Sequence, residues 1–260
     1  MKFRSLKFEI AILSLLFSFV SGGQIVDTSY WRGWHETPAD VVRVDEWSEA
    51  GWWTAAGVMS TGLIIYSQDA QIRESFQSWR SPGSNQFSQY VAEPIGSGLY
   101  SLGGSAIALG VGYLTDDVKL QRTSFQAFKA FILTGGATVV LKQLTHRPRP
   151  YESDDPYTWL GPYAITGEND AFPSGHTSTA FAVASVFAHS YRDQPWVGVS
   201  VYSLASLAGL SRIHDDAHWA SDVFFGAALG WYVGRTIVQK DKKLWVVPTG
   251  TGVYLSYSFD

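Results

Sequence analysis

The chain has 260 residues, enough for one large core or two small ones, and its composition is that of neither a disordered nor a fibrous protein. Its formal net charge is −4 and its 19 Lys and Arg residues are scattered rather than run together, so the electrostatic footprint of a nucleic-acid binder is missing. There is no cysteine, which excludes disulfides, thiolate metal sites and cysteine nucleophiles.

At the N-terminus, Lys2, Arg4 and Lys7 precede an apolar stretch from Ile10 to Val20 and the small residues Ser21, Gly22 and Gly23. That order predicts a secretory signal peptide over residues 1–22, cleaved near Gly22, and export to the cell envelope, the alternative being an uncleaved anchor helix. Residues 23–49 are polar and aromatic; Trp31, Trp34, Trp47, Trp52 and Trp53 suit either a water–lipid boundary or an aromatic core. Uncharged segments rich in Gly and Ala, separated by charged loops, then predict six helices across a domain at 50–240: near Ala50–Ser67, Glu93–Thr115, Phe125–Leu141, Pro173–Tyr191, Trp196–Leu210 and Trp219–Val238. Between the first two, Ile72, Phe76 and Trp79 share one face of a shorter helix that ends at Ser81-Pro82-Gly83; such a face suits a membrane surface, but packing on the domain's own core is the expectation. The tail, 243–260, changes character. Leu244–Pro248 and Val253–Phe259 flank Thr249-Gly250-Thr251-Gly252, the pattern of a β-hairpin with one apolar face.

Three clusters contain most of the residues able to handle an oxyanion. In KQLTHRPRP, Lys142 is followed after six residues by Arg149-Pro150; Pro173 to His176 read PSGH at a helix start; and SRIHDDAHWASD runs from Ser211 and Arg212 to His218 and Asp222. If consecutive helices run up and down, all three lie at one end of the bundle. Phosphoryl transfer needs charge on the equatorial oxygens, an in-line nucleophile and a proton for the leaving oxygen. Arg149 and Arg212 offer bidentate forks, Lys142 a compact ammonium, and Ser174 and Gly175 a helix N-terminus that the backbone opens to an anion. His218 and Asp222, four apart at a helix start, share a side, so Asp222 is expected to hold one imidazole nitrogen while the other attacks phosphorus. His176 is left to protonate the leaving alkoxide and then activate water.

In this order the motifs resemble the signature of the type-2 phosphatidate phosphatase and vanadium haloperoxidase superfamily, with agreement at every signature position from the second helix to the sixth. The resemblance implies an all-α fold, a six-helix core bundle, here followed by the short C-terminal β-hairpin. It implies phosphate binding by Lys142, Arg149, Ser174, Gly175 and Arg212, with His176 as general acid and base, His218 as nucleophile and Asp222 as its orienter. It also implies a metal-independent phosphatase acting on a phosphomonoester or pyrophosphate, of a membrane lipid or a small molecule, through a phosphohistidine. No cofactor is expected, and vanadate should bind as an inhibitor. Two features depart from the membrane lipid phosphatases: His214-Asp215-Asp216 replaces a small neutral linker, and an acidic, aromatic loop with Glu152, Asp154, Asp155, Trp159, Glu168 and Asp170 is placed to cover the pocket.

Three other readings compete. A vanadium haloperoxidase would use the same cradle for vanadate as cofactor. A metal hydrolase could draw ligands from His214, Asp215, Asp216, His218 and Asp222, but would leave Lys142, Arg149 and Arg212 as cations repelling the metal. A non-catalytic envelope protein should have lost a histidine first. On location, Lys129 and Arg235 make poor membrane spans of two helices, and six spans after a cleaved signal would turn the motifs to the cytoplasm. Lys119, Arg122, Arg192, Lys240, Lys242 and Lys243, however, lie opposite the motifs and by the positive-inside rule put the site on the periplasmic side. The two agree if the signal segment is kept as the first span in place of Ala50–Ser67, or if the domain is a soluble or peripheral periplasmic one, and a periplasm-facing site is expected. Membrane contact is expected, integral or peripheral.

Overall fold

The computed structural model describes residues 47–162 and 170–240, the backbone of 244–249 and 252–257, and the isolated positions 38, 41 and 43. The predicted signal peptide, most of the 23–49 segment and Glu168 lie outside the described residues.

Helix α1 (Glu49–Ser67) starts at Ser48, whose hydroxyl accepts the Gly51 N–H, and α2 (Asp69–Ser78) follows after one residue. Ser81-Pro82-Gly83 ends that amphipathic stretch as expected but also begins α3 (Pro82–Phe87), since Ser81 and Ser84 cap each other reciprocally and proline suits the first helical turn. Trp79, predicted on the packed face of α2, is instead 76% exposed. A π-helical turn (Ser88–Ala92) leads into the short α4 (Glu93–Gly96).

The single helix predicted over Glu93–Thr115 is broken. Ser97 is extended (φ −69, ψ 147) and its hydroxyl caps α5 (Gly98–Leu114), which turns 56° away from the Pro82–Gly96 segment. The bend lets Gly96 lie against α7 and α8, where an added Cβ would come within 3.2 Å of His176 Cβ and 3.0 Å of Ala208 Cβ. Helix α6 (Val118–Thr145) is longer than predicted because Lys119, Arg122 and Lys142, read as boundary charges, are carried inside it; Asp117 caps its start and His146, at φ 43, ends it. Helices α7 (Gly175–Ser190), α8 (Pro195–His214) and α9 (Ala220–Lys240) complete the bundle.

Helix α7 is central, packed on α5, α6 and α8. It also meets α9 backbone to backbone: Gly226, Gly230 and Gly234 recur every four residues, and a Cβ at Gly226 would lie 2.8 Å from the Ser174 carbonyl oxygen, with the next two glycines facing the carbonyls of Ser178 and Ala182. The interior is built of small residues, among them Ala127, Ala130, Thr134, Thr138, Ser178, Ala182, Ser185 and Ala208. Many large apolar side chains face outward: Ile107, Leu114, Val139, Val140 and Val199 are all exposed. Among the described helices, Val118–Thr145 is long and apolar enough to cross a membrane, and the bent pair Pro82–Gly96 with Gly98–Leu114 passes the same test together.

The C-terminal residues fall in a unit separate from 41–239. There β1 (Leu244–Thr249) and β2 (Gly252–Tyr257) pair antiparallel, with Leu244 opposite Tyr257 and Thr249 opposite Gly252. The side chains of the predicted apolar face lie outside the described residues.

Candidate active site

The three motifs meet at one end of the bundle, as an up-and-down order requires. Lys142 is in the last turn of α6, Ser174 caps α7, Arg212 is in the last turn of α8, and Asp222 is in the first turn of α9. Backbone bonds tie them together. The Ser174 N–H donates to the Asp222 carbonyl at 3.0 Å, the His218 N–H to that of Arg212 at 3.2 Å, and the Ala171 N–H to that of Arg147 at 3.0 Å. The Trp219 indole N–H reaches the Pro148 carbonyl at 3.0 Å. Gly175 sits close to α6; an added Cβ would touch Lys142 Cε at 3.9 Å.

Each cation of the cradle faces a carboxylate. Arg149 Nε donates to Asp170 Oδ1 at 2.6 Å, while Lys142 Nζ donates to the Asp170 backbone carbonyl and is 3.8 Å from its Oδ2. Arg212 pairs with Asp215 and lies 3.7 Å from Glu93, and Glu93 Oε1 is 3.2 Å from His176 Nε2. Burial opposes the charge on Asp170, but the Arg149 hydrogen bond and the nearby Lys142 ammonium outweigh it and hold the carboxyl below its ordinary value.

His218 is 3% exposed. The expectation that Asp222 accepts its hydrogen bond needs correction, because the 2.7 Å partner of Nδ1 is the Ala171 carbonyl and Asp222 Oδ2 stands 3.8 Å away. Asp222 is drawn off by other donors: it accepts from the Trp219 N–H at 2.9 Å and from the Arg147 guanidinium. A carbonyl only accepts, so Nδ1 carries the proton and Nε2 keeps its lone pair, the tautomer a nucleophile needs. Burial, reinforced by the charges of Lys142 and Arg149, pushes the imidazole well below its ordinary value and keeps it neutral.

The residues of the proposed linker and loop go to separate partners. His214 Nε2 lies 3.1 Å from Asn85 Oδ1, Asp215 meets Arg212, and Asp216, at φ 60, takes both Nε and Nη2 of Arg73. The donors of the metal reading therefore do not converge, and no group of three such residues is found among the described residues. Of the loop, Asp154 pairs with Arg73, Glu152 accepts the Arg149 N–H, Asp155 bonds within the loop, and Trp159 donates to the Tyr66 hydroxyl at 2.8 Å. Its described part before residue 163 docks on the α1–α2 junction, and of the described acidic residues of the loop only Asp170 pairs with the cradle side chains. Sequence reasoning missed Glu93, Asp69, Arg147 and the Ala171 carbonyl. The first three carried a faint signal as charges within or beside uncharged helical stretches; a backbone carbonyl carries none.

Residues 124–245 match the family model of the PAP2 superfamily. The chain is 45% identical over 82 residues to the lipid A 1-phosphatase of Porphyromonas gingivalis, covering 31% of this chain and 18% of that protein. It is 31% identical over 108 residues to the lipid A 1-phosphatase of Rhizobium etli, covering 40% of this chain and 45% of that one. The chain thus matches less than half the length of these curated relatives. Among solved structures, it resembles a transmembrane PAP2-type phosphatidylglycerolphosphate phosphatase from Bacillus subtilis (TM-score 0.54, 20% identity, 71% of this chain and 94% of that one). It also resembles Aquifex aeolicus LpxE (TM-score 0.50, 24% identity, 65% and 93%). At these identities the likeness is one of fold.

Proposed function

We propose that this chain, whose residues 124–245 match the PAP2 superfamily model, is a metal-independent phosphatase working through a phosphohistidine on His218, with a phosphorylated membrane lipid as substrate. The observation that carries this reading is the state of His218: buried, neutral, protonated on Nδ1 by its bond to Ala171, and close enough to Lys142, Arg149 and His176 for their charges to act on it. The phosphoryl oxygens replace the carboxylates now facing Lys142, Arg149 and Arg212, with the N-terminal N–H groups of α7 completing the cradle. The Nε2 lone pair attacks phosphorus in line; the P–O bond to the alcohol breaks and His176 protonates the leaving oxygen. His176 then takes a proton from a water whose oxygen bonds to phosphorus, the P–N bond breaks with its electrons returning to Nε2, and phosphate leaves. Asp222 acts on His218 through space and through the backbone of α9, rather than by a direct hydrogen bond.

A lipid A 1-phosphate heads the substrate candidates because two relatives bear that activity in their names. Those same relatives weigh against the haloperoxidase alternative, and nothing in the site favours it. Small buried residues and large exposed ones are the arrangement of a helical protein whose solvent is lipid, which supports membrane integration, and the positive-inside rule supports a site facing the periplasm. The test is phosphate release, with chelator present, from lipid A 1-phosphate, phosphatidylglycerophosphate, phosphatidate, undecaprenyl pyrophosphate and a small phosphomonoester, on wild type and His218→Ala. Release from at least one lipid, abolished in the variant, is expected. A folded wild type that releases phosphate from none would make the protein a binding or structural module instead.

A further inference from the structure

Arg147 belongs to none of the motif positions, yet it is one of the most completely bound groups in the molecule. Its side chain is 1% exposed, and all five guanidinium N–H groups have acceptors: Nε and Nη2 donate to the Pro156 carbonyl at 3.1 and 2.7 Å, Nη2 also to Asp69 Oδ2 at 2.7 Å, and Nη1 to Ser221 Oγ at 2.9 Å and to Asp222 Oδ1. The rings of Trp159, Tyr66 and Trp219 stand 4.9, 5.1 and 5.5 Å from its carbon. Asp69, 0% exposed, comes from α2, well outside the motifs, and also accepts the N–H and hydroxyl of Ser221 in the first turn of α9.

Both contacts on the far side of the His218 ring lead back to this one residue. The Ala171 carbonyl that accepts from Nδ1 belongs to a residue whose N–H is held by the Arg147 carbonyl, and the Asp222 carboxylate 3.8 Å from Nδ1 is held by the Arg147 guanidinium. We infer that Arg147, clamped by Asp69, is the positioning residue that sets the angle and tautomer of the His218 imidazole. It touches no reacting atom. An arginine is required because a lysine has three donors and no planar fork with which to span two carboxylates, a hydroxyl and a carbonyl. Asp69 is required because without it one N–H of that fork is left buried and unpaired and the guanidinium loses one of its two counter-charges.

The inference rests on the phosphatase reading only in its kinetic arm. Vanadate bonds to the free imidazole nitrogen as a mimic of phosphorus in flight, whereas inorganic phosphate only fills the cradle, so the two ligands separate ring placement from pocket integrity. Full-length protein, wild type, Asp69→Asn, Arg147→Lys and Arg147→Gln, is titrated with each by calorimetry. Arg147→Gln should weaken vanadate by about tenfold to a hundredfold, Arg147→Lys nearly as much and Asp69→Asn by about tenfold, while phosphate affinity stays within about threefold; kcat should follow vanadate and KM should follow phosphate. Parallel losses of vanadate and phosphate affinity would reduce Arg147 to a fold-stabilising residue, and wild-type vanadate affinity in a folded Arg147→Gln would overturn the inference outright. Should Arg147→Gln fail to fold, the isosteric Asp69→Asn decides on the same ratio. A wild type that binds vanadate but cleaves no ester would defeat the phosphatase reading and leave the ratio to settle this one.

Discussion

The two histidines of the pocket differ in their surroundings, and the difference predicts separable chemistry. His218 is buried and bonded to a carbonyl, whereas the His176 side chain is 37% exposed and faces Glu93. His176→Ala should therefore keep more of its phosphoryl-transfer step on p-nitrophenyl phosphate, whose leaving group scarcely needs a proton, than on an alkyl phosphate. Its second step lacks a base, so acid-labile phosphate should accumulate on His218 after a quench; label on His176 or on a serine would reverse the roles. The motif residues were legible in the sequence because oxyanion chemistry demands those side chains at those spacings. Glu93, Asp69 and Arg147 were not, since their meaning comes from a bend in one helix, the docking of another and a left-handed residue at His146 that redirects the chain. The direct hydrogen bond expected from Asp222 is missing for a related reason: spacing of four puts it beside His218, but spacing cannot show that Arg147 and the Trp219 N–H claim its oxygens first.

Among the elements, α7 and α9 approach each other backbone to backbone, and the glycines that permit it give a sharp contrast. Gly230→Ala thrusts a methyl group at the Ser178 carbonyl and should cost about 1–3 kcal/mol, read as a lower midpoint in detergent melts. Gly110→Ala in α5 has nothing within 4 Å of the new Cβ and should be neutral or stabilising by up to about 1 kcal/mol. Equal midpoints for the two would mean the α7–α9 contact is looser than described. At this scale the sequence was a good guide to which segments are helical and a poorer one to where they stop. Charges marked the ends too early on α6 and α8, because Lys119, Lys142 and Arg212 sit in terminal turns that the helix continues through. The missed break at Ser97 came from reading an uncharged run as continuous when a serine cap and two flanking glycines allow a turn.

For the whole molecule, the proposed orientation can be tested without removing native thiols, since the chain has no cysteine. Leu160→Cys lies at the motif end, where its N–H is bonded to the His146 carbonyl, and Arg192→Cys at the exposed opposite end. A membrane-impermeant maleimide applied to intact spheroplasts should label the first and reach the second only after lysis; the opposite pattern would put the active site in the cytoplasm. The placement of Asp69 and Glu93 bears on how the molecule can be divided. The matched segment opens at residue 124 and holds every motif position, yet the carboxylate that clamps Arg147 and the one that faces His176 both come from before it. A fragment cut at that boundary would bury a guanidinium with one of its two counter-charges gone and leave His176 without its carboxylate neighbour. The recognisable segment is therefore smaller than the set of residues that holds the His218 ring in its surroundings, and a chimaera that grafts residues 124–245 onto foreign leading helices would have to bring an aspartate to the Ser221 end of α9 to restore the clamp on Arg147.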